Sequence, residues 1–481
     1  MTYKKLIGRE SPLQLPLVQQ VVAFGRSRSV ETYLVGGYLR DLLWSGHKRD
    51  AKDLDFAVAG GTAIDFAKHL AAEMNGHFVP LDPVFDTARV VLEDGEFLDF
   101  SGCVGGTIEA DLKRRDFTVN ALAFDASRPD CVLDVVGGME DIEKQSIRAV
   151  SRSILEEDPL RIVRAFRFKA ILGANIESQT LAWIKELEGA LKPIACERIN
   201  AEMFNLLNSP NAGTVLAEMG SVGLLEDIYP ELRETRRVTP NQYHHLNLFD
   251  HSVEAVRQLE MVLDEMPEWV TQSNQELLSF GITRLAAAKL AALLHDIGKP
   301  ATWEINEDGR HTFYSHDNVG ADMAEGTAER MKWSKPVSRF IVKLIKMHLR
   351  PGALFHQGTP TPRAVHRFYR KAGVDLPELM ILAYGDLGAT CGEGLPEESR
   401  ANLSGEFFDL LNGFRTFVDR RLDINRLLTG EDVMRILNVA PGRMIGEILE
   451  ALSEAQGISE VLDRPTAEQF VIEYHAKKYC S

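Results

Sequence analysis

The chain has 481 residues, too many for one hydrophobic core, so three or four domains are expected. Apolar residues make up 45%, the ordinary share for a soluble globular protein, and 54 Lys and Arg against 70 Asp and Glu leave a net charge of −16. That balance excludes a wholly basic nucleic-acid coat protein; it does not exclude a nucleic-acid substrate, because local basic patches matter more than the sum.

Residues 1 to about 150 mix strands and helices. Thr32 to Val35, Leu54 to Ala59, Thr87 to Glu93, Glu96 to Phe100, Ala121 to Phe124 and Val132 to Asp134 are short and rich in Val, Leu and Phe, which predicts strands. Leu13 to Arg26 and Thr62 to Asn75 carry the helical period. From about 151 to 235 the pattern turns helical: Pro159 suits the first turn of a helix that Asp158 caps and that runs through Leu172, and Glu197 to Leu207 and Ala212 to Met219 continue. A polar stretch from Arg233 to Gln242, with Pro240, marks a boundary. A helical block from about 243 to 400 holds most of the histidines and ends at the Gly-Glu-Gly-Leu-Pro stretch of 392–396; a last helical block, 401 to 481, turns at Pro441-Gly442. The predicted class is α+β, a small mixed-sheet head followed by helical blocks over 151–235, 243–400 and 401–481. The apolar stretch Leu285 to Leu294, interrupted by Lys289, reads as a buried helix. No apolar run reaches the ~18 residues of a membrane span, and Met1 to Glu10 lacks the apolar core of a signal peptide. Five cysteines (Cys103, Cys131, Cys196, Cys391, Cys480) without a C-x-x-C pair predict reduced thiols in a cytoplasmic protein, mostly small core residues.

The densest chemistry lies at Leu34-Val35-Gly36-Gly37-Tyr38-Leu39-Arg40-Asp41 and Lys52-Asp53-Leu54-Asp55-Phe56. On a strand, Asp53 and Asp55 project from one face while Leu54 and Phe56 point into the core. Two carboxylates on one face suit a hard cation such as Mg²⁺, and a Gly-Gly turn running into a helix lets backbone N–H groups approach phosphates. Alone, Asp-x-Asp is more often a pair of solvated aspartates; with Gly-Gly-x-x-Arg-Asp upstream, phosphoryl or nucleotidyl transfer becomes the better reading. Lys113-Arg114-Arg115 would suit a polyanion, and Asp116 and Asn120 follow directly before an apolar strand. A second Gly-Gly turn, Asp134 to Asp141, shapes the join between head and helical body. Asp158, Arg161 and Arg164, spaced i, i+3 and i+6, fall near one helix face and would offer acceptors and donors to a nucleobase edge. By itself that trio would be a capping carboxylate with an ion pair; the head motifs favour the functional reading.

These segments resemble the class II tRNA nucleotidyltransferases, the family of CCA-adding enzymes and bacterial poly(A) polymerases. LVGGYLRD, KDLDFAV, RRDFTVNALAF, LDVVGGMEDIEKQSIRAV, EDPLRIVRAFRF and CERINAEMFNLL occur in the family's order from residue 34 to about 210. The resemblance implies that Asp53 and Asp55 bind Mg²⁺, that Gly36, Gly37, Arg40 and Arg115 hold the triphosphate with Asn120 in the same nucleotide site, and that Asp116 supports sugar and base. Asp158 and Arg161, with Arg164 beside them, would pair with the base of CTP or ATP. The reaction implied is in-line attack of the tRNA 3′-hydroxyl on the α-phosphate, releasing pyrophosphate. The partners would be the 3′ end and acceptor arm of tRNA, CTP and ATP, without a membrane.

In the third block, Leu293-Leu294-His295-Asp296-Ile297-Gly298-Lys299 places adjacent metal-ligand types at the end of an apolar helix. This stretch resembles the HD phosphohydrolase superfamily. The resemblance implies His251, His295, Asp296 and Asp386 as ligands of a metal such as Mn²⁺, Ni²⁺ or Fe²⁺, with His316 and His348 toward a second. Leu428 to Met434 and Pro441 to Gly446 look like the C-terminal tRNA-cradling segment of bacterial members. Between Phe100 and Asp111 the chain has only Ser101 to Ala110, whereas CCA-adding relatives carry a longer, more charged loop implicated in switching from C to A addition. CC addition alone is therefore a serious option. The basic signature of poly(A) polymerases is not evident in His77 to Arg89. Three alternatives stay open: poly(A) synthesis, a protein that is chiefly an HD phosphohydrolase, and a non-catalytic RNA-binding protein, which has no need of two aligned carboxylates.

Overall fold

The computed structural model describes residues 3–6, 9–45, 53–93, 95–239, 245–307, 311–356, 358–391, 396–423 and 427–480. Lys52, Pro240 and the 392–395 part of the expected third boundary lie outside them. The chain divides into two compact units, Met1–Leu206 with Met219–Ile228, and Leu207–Glu218 with Tyr229–Ser481.

The first unit is built on one sheet of eight strands: β1 (Tyr3–Lys5), β2 (Glu31–Val35), β3 (Asp53–Ala59), β4 (His77–Asp82), β5 (Thr87–Val91), β6 (Phe97–Gly102), β7 (Leu122–Asp125) and β8 (Cys131–Asp134). Their order is β1-β8-β7-β2-β3-β6-β5-β4. β3 and β6 run parallel and the neighbouring pairs antiparallel, so the sheet is mixed. Alternation works as expected on β3: Leu54 and Phe56 are buried and Asp53 is exposed on the opposite face. The Ala63–Glu73 helix starts where the Thr62 hydroxyl accepts from Asp65 N–H, and it buries Phe66 and Leu70 one turn apart. Phe66 packs on Phe100 of β6 at 5.4 Å between ring centroids, and Phe100 stacks on Phe56 at 5.5 Å. β1 and β4, the two strands absent from the sequence reading, are the edges. β4 contains Pro80, which cannot donate to a ladder, and its pairing with β5 shifts register there.

Beyond the sheet the first unit is helical. The Arg152–Glu157 helix ends at Asp158, and the Leu160–Leu172 helix follows at once. The N-cap is Pro159 and not the expected Asp158, whose Oδ1 accepts from Leu160 N–H at 3.3 Å from one residue before the cap.

The second unit is nearly all helix. Leu248–Val262, Arg284–Leu294, His316–Met331, Lys335–Met347 and Leu376–Ala389 carry the histidine-rich residues. Lys289 sits inside the apolar Arg284–Leu294 helix with 1% of its surface exposed, and its ammonium donates to Glu260 at 2.8 Å and to the Ser209 carbonyl at 2.6 Å. The polar interruption is thus a satisfied buried cation. Gly298 permits the closest backbone approach in this unit, since a Cβ there would lie 2.3 Å from the His316 carbonyl. Three C-terminal helices, Gly430–Leu437, Arg443–Gly457 and Arg464–Tyr479, enclose a separate core of Val433, Ile448, Leu452 and Val471. The first opens on a capping box between Thr429 and Asp432.

The cysteines differ from expectation. All five are free thiols, but Cys103, Cys131, Cys196 and Cys391 are half-buried and Cys480 is exposed. They stand at or near the ends of strands and helices, and Cys103 packs against the core of Val35, Ala57 and Leu112 from its margin. Among the described residues no helix is long and apolar enough to cross a membrane.

Candidate active site and metal centre

The turn from β2 into the Gly36–Ser45 helix and the adjacent strand β3 build one side of a cleft. Val35 pairs with Asp55 across β2 and β3, so the turn begins where the second aspartate projects. Gly36 has φ +76°, and a Cβ at that position would lie 2.4 Å from Asp55 Oδ2. Only glycine meets both conditions. The Gly37 N–H donates to the Asp55 carboxylate.

The parallel register of β3 with β6 sets Asp55 beside Asp99. Ligand oxygens of Asp53, Asp55 and Asp99 lie within 4.8 Å of one another. Arg89 orients Asp99 through paired bonds of 2.7 Å each. Burial, then the neighbouring Asp53 and Asp99, push Asp55 up to about 6, with Arg115 and the Gly37 N–H acting against the shift. Asp53 is raised by burial and by Asp99. Three carboxylates crowded onto one face of the neighbouring strands β3 and β6 repel one another and are relieved by a cation, which fits a divalent metal. Sequence reasoning missed Asp99. Its signal was a carboxylate on a predicted strand, and only strand pairing shows that it joins the other two.

The rest of the cleft comes from helices and turns of the same unit. It encloses about 950 Å³, and Asp53, Asp55, Asp99, Arg115, Asp158 and Arg161 are among its walls. Arg40, Asp116, Asn120 and Arg164 line it too. Arg40 is held by Asp41 and donates to Asn120 Oδ1, each at 2.8 Å, with its guanidinium 5.0 Å from the Phe168 ring centre. Arg115 reaches Asp111 at 3.1 Å. Asp116 is buried and accepts from Phe117 N–H, Asn120 and Arg164. Burial opposes its ionisation, but Arg164 and Asn120 hold it below the usual carboxylate range. Arg164 is committed to Asp116 at 2.7 Å and Glu202 at 3.3 Å. The expected single helix face is not formed: Asp158 lies in the break between two helices with an extended backbone, and only Arg161 and Arg164 stand on the Leu160–Leu172 helix. Of the three, Asp158 and Arg161 are the less engaged. Asp158 accepts from Arg198 at 2.8 Å, and among the described residues Arg161 donates only to the Ile154 carbonyl, at 2.9 Å.

In the second unit all six predicted ligand side chains converge. His251 Nε2 lies 3.1 Å from Asp386 Oδ1 and 3.7 Å from Asp296 Oδ2. His295 Nε2 lies 3.1 Å from Asp296 Oδ2. His316 and His348 Nε2 approach Asp296 Oδ1 at 3.2 and 3.6 Å, and each other at 3.3 Å. His295, His316 and His348 each turn Nδ1 to a backbone carbonyl 2.7 Å away, three residues upstream. That hydrogen bond fixes the ring and points Nε2 inward, the outer-shell arrangement of a metal-binding imidazole. His295 Nε2 and both Asp296 oxygens are sealed from solvent without a well-formed hydrogen bond. Lys299, which sequence reasoning also left out, sets its ammonium 2.5 Å from Asp296 Oδ2. Burial would keep His295 neutral, but Asp296 and Asp386 overcome it and raise the ring to about 10, while burial and His295 hold His348 down to about 4. Buried acceptors facing orphaned ring nitrogens fit a bound cation.

Residues 93–148 match the poly A polymerase head domain, residues 173–235 the probable RNA and SrmB-binding site of polymerase A, and residues 248–386 the HD domain. The chain is 33% identical to an A-adding tRNA nucleotidyltransferase of Deinococcus radiodurans, over 91% of this chain and 94% of the relative. It is 30% identical to a CC-adding tRNA nucleotidyltransferase of Geobacter sulfurreducens, over 95% of each. Its fold is that of the Thermotoga maritima CCA-adding enzyme solved with tRNA, at TM-score 0.67 and 22% identity over 98% of this chain and 99% of that one. The cleft geometry and these likenesses agree: the chain belongs to the class II tRNA nucleotidyltransferase and poly(A) polymerase family, and is a nucleotidyltransferase with an HD domain.

Proposed function

We propose that this enzyme adds cytidylate residues to the 3′ end of tRNA and stops before the terminal adenylate. One observation carries the transfer reading: a single cleft joins a three-carboxylate cluster to a glycine turn, Arg115 and the Asp158–Arg161 pair. Gly36, Gly37, Arg40 and Arg115 hold the triphosphate of CTP, with Asn120 bracing Arg40. Asp158 accepts from the 4-amino group of cytosine, and Arg161 donates to its ring acceptors. Asp116 and Arg164 act as positioning residues behind them. Asp53, Asp55 and Asp99 hold Mg²⁺, which when bound neutralises charge developing at the α-phosphate and lowers the pKa of the attacking 3′-hydroxyl.

Restriction to C rests on the connection after β6. Residues 103–107 alone separate that strand from the Ile108–Leu112 helix, leaving no room for the longer loop implicated in A addition. Several relatives at similar coverage are named CC-adding, which supports this choice over the A-adding relative's specificity. The division into a head over 1–150, a neck over 151–235, an HD block over 243–400 and a tail over 401–481, and a place in the cytoplasm with the tRNA pool, belong to the same proposal.

The six-residue cluster favours a second activity of the HD block, hydrolysis by water of 2′,3′-cyclic ends to a phosphomonoester or of 2′-phosphate ends to a hydroxyl and free phosphate, with His251, His295, Asp296 and Asp386 holding Mn²⁺, Ni²⁺ or Fe²⁺ and His316 and His348 near it.

The test supplies Mg²⁺, labelled CTP and tRNA lacking its 3′-terminal CCA. The expected result is incorporation that Asp53→Asn abolishes. Equal incorporation by that variant overturns the assignment.

A further inference from the structure

Residues 332–374 contain ten Lys and Arg and no Asp or Glu, in a chain whose net charge is −16. The cations are not scattered. The Lys335–Met347 helix buries Val337, Phe340, Ile341, Leu344 and Ile345. Its outer face carries Lys335, Arg339 and Lys346, all exposed, with Lys343 half-buried between them. The Pro362–Ala372 helix repeats the pattern: Phe368, Tyr369 and Ala372 face inward, and Arg363, Arg367, Arg370 and Lys371 outward. Arg339, Lys343, Lys346 and Lys371 line one open groove of about 500 Å³, which Glu325 and Glu329 also line.

Part of this charge is used internally. Lys343 donates to Asp375 and to the Ala372 carbonyl, each at 2.6 Å, Arg370 pairs with Glu450 at 3.2 Å, and Arg363 pairs with Glu460. No ion pair engages Lys335, Arg339, Lys346, Arg350, Arg367 or Lys371 among the described residues. A face that serves only solubility mixes both signs. Here the segment that builds the two helices holds no carboxylate over 43 consecutive residues of an acidic chain, and the four cations of the groove outnumber its two glutamates, a balance suited to a polyanion.

We propose that this face of the second unit, centred on Arg339, Lys346 and Lys371, binds the phosphate backbone of RNA, the tRNA substrate being the RNA that the proposed function supplies. It reads charge and not sequence, because ammonium and guanidinium groups on an open helix face meet phosphates without reaching base edges. The surface raises residence of tRNA on the enzyme and takes no part in the chemistry of the cleft.

The test measures tRNA affinity of the full chain by fluorescence anisotropy across a range of salt concentrations. It compares the native protein, the charge-removing triple variant R339Q/K346Q/K371Q and the charge-keeping triple variant R339K/K346R/K371R. Each phosphate contact contributes close to one unit to the slope of log K against log salt. The Gln variant is expected to flatten that slope by about 2–3 and to weaken binding about tenfold or more at low salt, and the charge-keeping variant to retain both. In steady-state assays the loss falls on KM for tRNA and not on kcat. Unchanged slope and affinity in the Gln variant overturn the proposal, and so does equal loss in both variants. Absence of nucleotide addition by the native protein would instead overturn the functional reading, and leaves the binding comparison valid.

Discussion

Gly36 leaves no space for a side chain beside Asp55 and gives a sharp prediction at the scale of single residues. Gly36→Ala puts a methyl group into the Asp55 carboxylate at a backbone angle that suits glycine, so it should cost about 1–3 kcal/mol of stability in urea denaturation and remove activity together. Asp53→Asn and Asp55→Asn are expected to lower CTP incorporation by ~10³-fold, since several kcal/mol of charge stabilisation depend on these ligands. Asp99→Asn should act more mildly, raising the Mg²⁺ concentration needed for half-maximal rate. Metal binding requires ionised carboxylates, and Asp55 is raised to about 6. Protonation below that value competes with the metal, so apparent Mg²⁺ affinity should weaken as pH falls from about 7 to 5. An affinity that is flat across that window would count against Asp55 as a ligand. Arg164 and Arg161 separate a positioning role from base contact. Arg164→Ala strands the buried carboxylate of Asp116 and should cost ~3 kcal/mol, the low end for a buried pair because Arg164 is partly exposed. Arg161→Ala gives up one carbonyl contact, about 1 kcal/mol, so its main effect should be a higher KM for CTP.

At the scale of elements, the sequence was most legible where a periodic pattern met a stop signal. The alternation of β3 correctly set Asp53 and Asp55 against Leu54 and Phe56, and the buried Lys289 helix followed from local rules, whereas the N-cap of the Leu160–Leu172 helix fell on Pro159 and not on Asp158. The edge strands β1 and β4 escaped because an edge buries little and so carries weak alternation; β4 also contains a proline. Asp99 escaped because its meaning lies in a parallel pairing between strands far apart in sequence. Lys299 was visible within the HD motif, yet its contact with Asp296 depends on the turn after the Arg284–Leu294 helix. The cysteines were misplaced because small size alone does not put a residue in a core. The connection over residues 103–107 gives this scale its prediction: grafting a longer charged loop there should permit ATP incorporation onto tRNA ending in CC, which the native chain performs at least about tenfold more slowly than CTP incorporation onto tRNA lacking its end.

At the scale of the whole molecule, one chain carries two constellations of metal-binding type in two compact units. Each is assembled from residues of its own unit, so their chemistries should separate by mutation. Asp296→Ala is expected to lower tightly bound transition metal, read by elemental analysis, and to remove ring opening of 2′,3′-cyclic ends and phosphate release from 2′-phosphate ends, while CTP incorporation continues. The central claim is the addition of C without A. It is tested most directly by giving the native enzyme tRNA lacking CCA, with CTP and ATP together, and sequencing the product ends. The account predicts ends that stop at CC and are absent with Asp55→Asn. Ends that read CCA, or runs of A, would contradict it.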